Sequence, residues 1–175
     1  MPRDLAELVS SAQRHAYTDR TFRQQSPRHD PLSGEGARIL GGRFNPPESF
    51  PVLYLCTTRD CSVAEFLRFA SRHPIGPEGF LPRVLYEYTV DLSSVLDLTD
   101  EHTLGTFELD VVELIDDDRT LTQQLGELTH QFGYQALLSA SATGVGTVLA
   151  VFTDNLRSGR VEPQIVERWE ILADL

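Results

Sequence analysis

The chain has 175 residues, 41% of them hydrophobic, and its 15 basic residues stand against 26 acidic ones for a formal net charge of −11. That length and apolar content suit one hydrophobic core, so a single domain over residues 1–175 is expected. The acidic balance argues against direct nucleic-acid binding, and no stretch nears the roughly 20 apolar residues that span a bilayer.

In chain order, RDLAELVSSAQRHA (3–16) sets Leu5, Leu8, Val9 and Ala12 at helical spacing. TFRQ (21–24) reads as a short strand. SPRHDPLSGEGARILGG (26–42) is rich in Ser, Pro and Gly and reads as a long loop, a place where function concentrates. VLYLC (52–56) reads as a buried strand, with Val52 and Tyr54 on one face and Leu53 and Leu55 on the other. CSVAEFLRFASRH (61–73) reads as a helix ended by Pro74. RVLYEYTVDL (83–92) alternates like a strand, and SSVLDL follows it. Residues 97–118 carry a run of acids. TLTQQLGELTHQFG (120–133) reads as a helix closed by Gly133. YQALLSA (134–140) and TVLAVF (147–152) read as strands around SATGVG, and QIVERWEIL (164–172) as a last edge strand. Strand candidates outnumber helix candidates and do not alternate strictly with them. The expected class is therefore α+β, with a mainly antiparallel or mixed sheet and flanking helices.

All basic residues are arginines, and they are unevenly placed: residues 1–72 hold ten against eight acids, residues 73–175 five against eighteen. A small anionic ligand is thus expected against the N-terminal half. Cys56 and Cys61 lie five apart with no second pair, and the five histidines are scattered, which argues against a zinc site and for two buried thiols. The N-terminal segment has no apolar signal-peptide core, so a cytoplasmic protein is expected.

The chemistry-bearing candidates cluster around GGRFNPP. Glycines and prolines there fix the direction of Arg43, a planar fork suited to phosphate or carboxylate, and Asn45 braces the turn; the plain alternative is a surface turn. Tyr54 offers a ring or a hydroxyl to a ligand, or fills the core. Glu65 fits a capping box with Ser62 or a pair with Arg68, or else aims a carboxylate into a cleft where positive charge develops on a sugar carbon. Ser141 lies between two strand candidates, where hydroxyls and backbone N–H groups bind phosphate, or it belongs to a hairpin turn. No nucleophile elbow, Walker loop or Rossmann fingerprint is present.

TFR, SGEGARILGGRFNPP, PVLYLCTTRDCSVAEFL, YEYTVDLSSVLDLTD and LLSASATGVGTVLAVF, in this order over residues 21–152, resemble the RES family, named for an Arg, a Glu and a Ser. The resemblance implies the toxin of a bacterial type II toxin–antitoxin module, with a fold like ADP-ribosyltransferase toxins and an Xre-like helix-turn-helix antitoxin as partner. It implies cleavage of the nicotinamide–ribose bond of NAD by phosphate or water, or else ADP-ribosyl transfer to protein; a non-catalytic nucleotide-binding or antitoxin-docking module is the remaining alternative. NAD is then a substrate, with inorganic phosphate as co-substrate, and no permanent cofactor or metal is implied. Carried over by position, Arg23, Glu65 and Ser141 are the catalytic candidates, with Ser139 as the fallback serine, and Arg43, Tyr54, Asn45 and Gln24 would line the NAD pocket. Four positions depart from the family pattern: Phe44 for a usual Trp, Glu48 for a Gly, Gln24 for a frequent Tyr and Thr143 for a frequent Arg.

Overall fold

The computed structural model describes residues 4–175; Arg3, where the first expected helix begins, lies outside them. Helix α1 (Leu5–Ser11) is capped by Asp4, whose carboxylate accepts from the Glu7 N–H, and it stops well short of residue 16. The chain turns at once into β1 (His15–Gln25), far longer than the expected TFRQ. Its first half, HAYTDR, is polar and largely exposed, which hides the strand from a hydrophobicity reading.

The expected loop contains a short helix, α2 (Glu35–Leu40), with no buried residue, before β2 (Val52–Cys56). Helix α3 (Arg59–Ser71) starts two residues earlier than expected, because Thr58 rather than Ser62 is its N-cap: the Thr58 hydroxyl accepts from the Cys61 N–H at 3.1 Å. Ser62 is buried inside the helix, so the Ser62–Glu65 capping box is not formed. Strand β3 (Arg83–Asp97) takes in both YEYTVDL and SSVLD. The acidic segment folds into α4 (Glu101–Phe107) and α5 (Val111–Ile115), whose N-caps are Asp100 and Asp110. Helix α6 (Thr120–Gln131) is followed by Gly133 at φ 76°, as expected of a glycine-closed C-terminus. Then come β4 (Ala136–Ala140), β5 (Thr147–Phe152) and β6 (Arg160–Trp169), the last starting earlier and ending earlier than QIVERWEIL.

Six strands and six α-helices are thus found among the described residues, an α+β arrangement with a mixed sheet. All strand pairs are antiparallel except β3–β4. Strand β3 pairs with β1, β6 and β4, while β1 meets β2 through the single pair Phe22↔Cys56. The pairing therefore forms two three-stranded layers, β1-β3-β6 and β2-β5-β4, joined at two corners. Leu53, Leu55, Tyr88, Val90, Leu149 and Val151 fill the space between the layers. Val52, Leu137, Ala150 and Phe152 cover the other face of β2-β5-β4 together with helical residues such as Leu114 and Leu125. Val52 and Leu53 thus serve different cores, as strand alternation requires. No helix among the described residues is long and apolar enough to cross a membrane. The β1–β2 corner leaves the end of β1, the start of α3 and the β4–β5 turn facing one hollow.

Candidate functional site

That hollow is a cleft of about 810 Å³. Six arginines line it, Arg23, Arg28, Arg43, Arg68, Arg83 and Arg119, against the carboxylates Asp30, Glu35 and Glu65. A protein of net charge −11 therefore presents a locally cationic cleft, which favours an anionic ligand there despite the overall repulsion.

The wall built from GGRFNPP depends on close approach. Gly42 pairs with Asn45 in an isolated bridge, and a Cβ on Gly42 would meet the Tyr54 hydroxyl at 2.5 Å, so only glycine lets the turn lie on the Tyr54 ring. On its far side the turn rests on α6, where the Gln123 amide donates to the Gly42 and Asn45 carbonyls at 3.0 and 3.3 Å. Phe44 is buried in the core beneath.

Tyr54 and Asn45 turn out to support the wall. The Tyr54 hydroxyl donates to Asn45 Oδ1 at 2.7 Å and accepts from the Phe44 N–H at 2.9 Å. Burial pushes that phenol well above its ordinary pKa, so it stays a neutral donor. Its ring lines the cleft while its hydroxyl is engaged inside the protein. Asn45 is fully buried, donates to the Ala37 carbonyl at 2.7 Å and does not line the cleft; it is the brace that the turn chemistry suggested rather than a ligand contact.

Arg43 lines the cleft, but its Nη1 is already engaged, donating to the Leu114 and Asp116 carbonyls at 3.1 and 2.6 Å. It thereby ties the turn to the end of α5. Burial lowers its pKa, the charges of Arg119 and Arg68 lower it further, and Glu65 and Asp117 oppose them. Arg68 does not pair with Glu65; with Arg72 it holds Asp117, at 3.0 and 2.9 Å, and Arg72 above all keeps that carboxyl below its usual range.

Glu65 instead meets Ser141 across the cleft, the serine hydroxyl donating to Glu65 Oε1 at 2.7 Å. That hydroxyl has one proton, so the 2.7 Å contact between Ser141 Oγ and Thr143 Oγ1 must be a donation from Thr143. Thr143 Oγ1 in turn accepts from the Val145 N–H at 3.1 Å. A chain of donors thus runs through the β4–β5 turn and ends on the carboxylate. Ser139 is buried on β4 with no hydrogen-bond partner for its hydroxyl, and it does not contact Glu65. Beneath this corner Cys56 and Cys61 are free, buried thiols, their sulfurs 2.8 Å apart, and the hydrogen bond between them and burial push Cys56 far above its ordinary pKa.

Arg23 and Gln24 lie at the end of β1. Arg23 is buried enough that its pKa is lowered, with the Tyr88 hydroxyl acting the other way, and its Nη1 has no hydrogen-bond partner. Gln24 Oε1 accepts from Arg83 Nε at 2.7 Å. Arg23, Gln24, Arg43, Tyr54 and Glu65 therefore line one cleft, Ser141 reaches it through Glu65, and Asn45 stands behind it. The sequence reading did not place Arg28, Arg68, Arg83 or Arg119 in the pocket, and considered Arg68 only as a partner of Glu65; they enter from the loop after β1, from α3 and from the starts of β3 and α6. No cluster of three or more His, Cys, Asp or Glu side chains among the described residues would hold a metal ion. What the arrangement offers is a single oriented carboxylate beside a multi-arginine anion site: it can bind a phosphorylated ligand and stabilise positive charge on it.

The family model described as RES domain matches residues 16–174. Curated relatives include the NAD(+) phosphorylases MbcT of Mycobacterium bovis and of Mycobacterium tuberculosis, each 30% identical over 148 residues, which is 83% of this chain and 80% of the relative. Among solved structures, the crystal structure of the M. tuberculosis MbcT–MbcA toxin–antitoxin complex aligns with a TM-score of 0.78 at 27% identity, covering 95% of this chain and 91% of that one.

Proposed function

The chain belongs to the RES-domain family, and from that premise we propose that it is the toxin of a bacterial toxin–antitoxin pair that degrades NAD by breaking its nicotinamide–ribose bond, with inorganic phosphate as acceptor. The observation that carries this reading is the Glu65 carboxylate, fixed by Ser141 in a cleft lined by six arginines. The similarity to the MbcT phosphorylases supports the same chemistry.

Nicotinamide in NAD is already cationic, so it leaves with the C1′–N bonding pair as a neutral ring and needs no general acid. The barrier lies in the oxocarbenium-like ribose, and a fixed carboxylate is the group that lowers it. An oxygen of the phosphate dianion then forms the new bond to C1′. The cleft arginines hold the pyrophosphate and the acceptor, Arg23 and Arg43 among them, and the Tyr54 ring and Gln24 border the bound dinucleotide. Ser141 acts by keeping Glu65 oriented.

The rest of the assignment follows the family. The partner is an antitoxin, proposed here to be of the Xre-like helix-turn-helix type, and the setting is the cytoplasm. The two-layered sheet with its cleft at a corner is proposed to share the architecture of ADP-ribosyltransferase toxins, with residues 1–175 as one RES-like domain. Purified protein incubated with NAD and phosphate is expected to release nicotinamide and to give a product with the mass of ADP-ribose plus a phosphoryl group. Glu65→Gln is expected to slow release about 100-fold or more. Product masses of free ADP-ribose or of ADP-ribosylated protein would transfer the same bond cleavage to water or to a side chain. Equal release by wild type and Glu65→Gln would sink the reading.

A further inference from the structure

Among the described residues Arg68 is the cleft arginine held in an ion pair, with Asp117, and the two at the β1–β3 end, Arg23 and Arg83, are in none. Arg23 comes from the end of β1, and Arg83 opens β3 just beyond the Gln25↔Val84 pair. The Nη1 of Arg23 is buried and unpartnered. Arg83 donates its Nε–H to Gln24 Oε1 at 2.7 Å, and its guanidinium lies 5.7 Å from the centre of the Phe66 ring. Burial lowers the pKa of both, and the charge of Arg23 is the second cause at Arg83, which falls to about 10. The other side of the cleft differs: Arg43 feels Glu65 and Asp117, Arg68 is paired with Asp117, and Arg43 Nη1 is engaged by carbonyls. Two like charges held together out of water are unfavourable until an anion joins them, and two planar forks grip a tetrahedral oxyanion from two sides.

We propose that Arg23 and Arg83, the latter aimed by Gln24, form a subsite for a phosphate dianion at the β1–β3 end of the cleft. The identity of that dianion rests on the NAD reading above: it is the free phosphate acceptor or the pyrophosphate of the dinucleotide. Gln24 is a positioning residue here.

The test titrates wild type, Arg83→Gln, Arg83→Lys and Gln24→Ala with inorganic phosphate and, separately, with ADP, by calorimetry and by melting temperature. Arg83→Gln is expected to weaken at least one of the two ligands about tenfold, the loss of one charge-assisted hydrogen bond. Arg83→Lys should recover most of it, and Gln24→Ala should weaken the same ligand severalfold. Turnover assigns the source: a raised KM for phosphate alone marks the acceptor, and a raised KM for NAD alone marks the pyrophosphate. Unchanged affinity for both ligands in Arg83→Gln overturns the subsite, as does a lower melting temperature whose ligand-induced rise stays the same as in wild type. Should wild type release no nicotinamide at all, the NAD reading fails while the titrations still decide the subsite.

Discussion

One hydroxyl proton on Ser141 decides how Glu65 is held. Because Thr143 donates into the serine oxygen, the serine proton is committed to the carboxylate, and Glu65 stays an oriented acceptor. Ser141→Ala is therefore expected to lower kcat for nicotinamide release about 10- to 100-fold with KM for NAD nearly unchanged, measured by steady-state kinetics. Thr143→Val, one step further back, should cost only severalfold in kcat. Thr143 thus has a use in ordering the β4–β5 turn. Tyr54 answers to a different measurement. Tyr54→Phe leaves the ring on the cleft wall but strands Asn45 Oδ1 and the Phe44 N–H, so a loss of about 1–3 kcal/mol in urea-unfolding stability is expected.

At the scale of elements, the GGRFNPP wall is held by backbone contacts that tolerate little change. A Cβ on Gly126 in α6 would sit 1.7 Å from the Phe44 carbonyl oxygen, so Gly126→Ala must push the turn off the helix. A loss of about 3 kcal/mol or more, with NAD affinity falling alongside, is expected by calorimetric unfolding and titration. Glu48 carries the opposite opportunity. It has φ 56°, in the left-handed region that favours glycine, and Glu48→Gly is expected to raise stability by about 0.5–1 kcal/mol. These features separate what the sequence displays from what it hides. Strand β2 and the body of α3 were legible because their apolar spacing is local, and Arg23, Gln24, Arg43, Tyr54 and Glu65 stood in motifs. The acids of 97–118 read only as a charge run, yet Asp100 and Asp110 are N-caps of two helices too short to announce themselves by periodicity. Arg83, Arg119 and Gln123 act only through partners far along the chain, such as the contact of Gln123 with Gly42, and no local pattern marks them.

The whole molecule balances an acidic surface against a few places where arginine is drawn inward, and its acid response follows from that balance. Near neutral pH the net charge of −11 repels itself, and protonation toward the pI of about 4.8 relieves that repulsion. Below this range the opposing effect takes over, because several carboxylates are better held in the folded state than in the unfolded one. Glu167 is the clearest case. Arg59 grips it with two nitrogens at 2.7 and 2.8 Å, the Trp169 indole N–H donates to it at 2.8 Å, and the Arg59 hydrogen bonds first of all lower its pKa from the ordinary 4.5. A depressed folded pKa means that this stabilisation is complete above the ordinary glutamate value and is lost as pH falls through the folded one. The pair fastens β6 to the start of α3, so its loss loosens the element that carries Glu65. Glu167→Gln keeps an acceptor for the indole but cannot titrate. Its melting temperature is expected to lie below wild type at about pH 7, by an amount equivalent to about 1 kcal/mol for a partly exposed bidentate pair. The two curves should converge as the pH is lowered to about 2, where the wild-type carboxyl is protonated. A gap that stays constant down to that pH would place the acid sensitivity in other carboxylates and leave Glu167 as a packing residue.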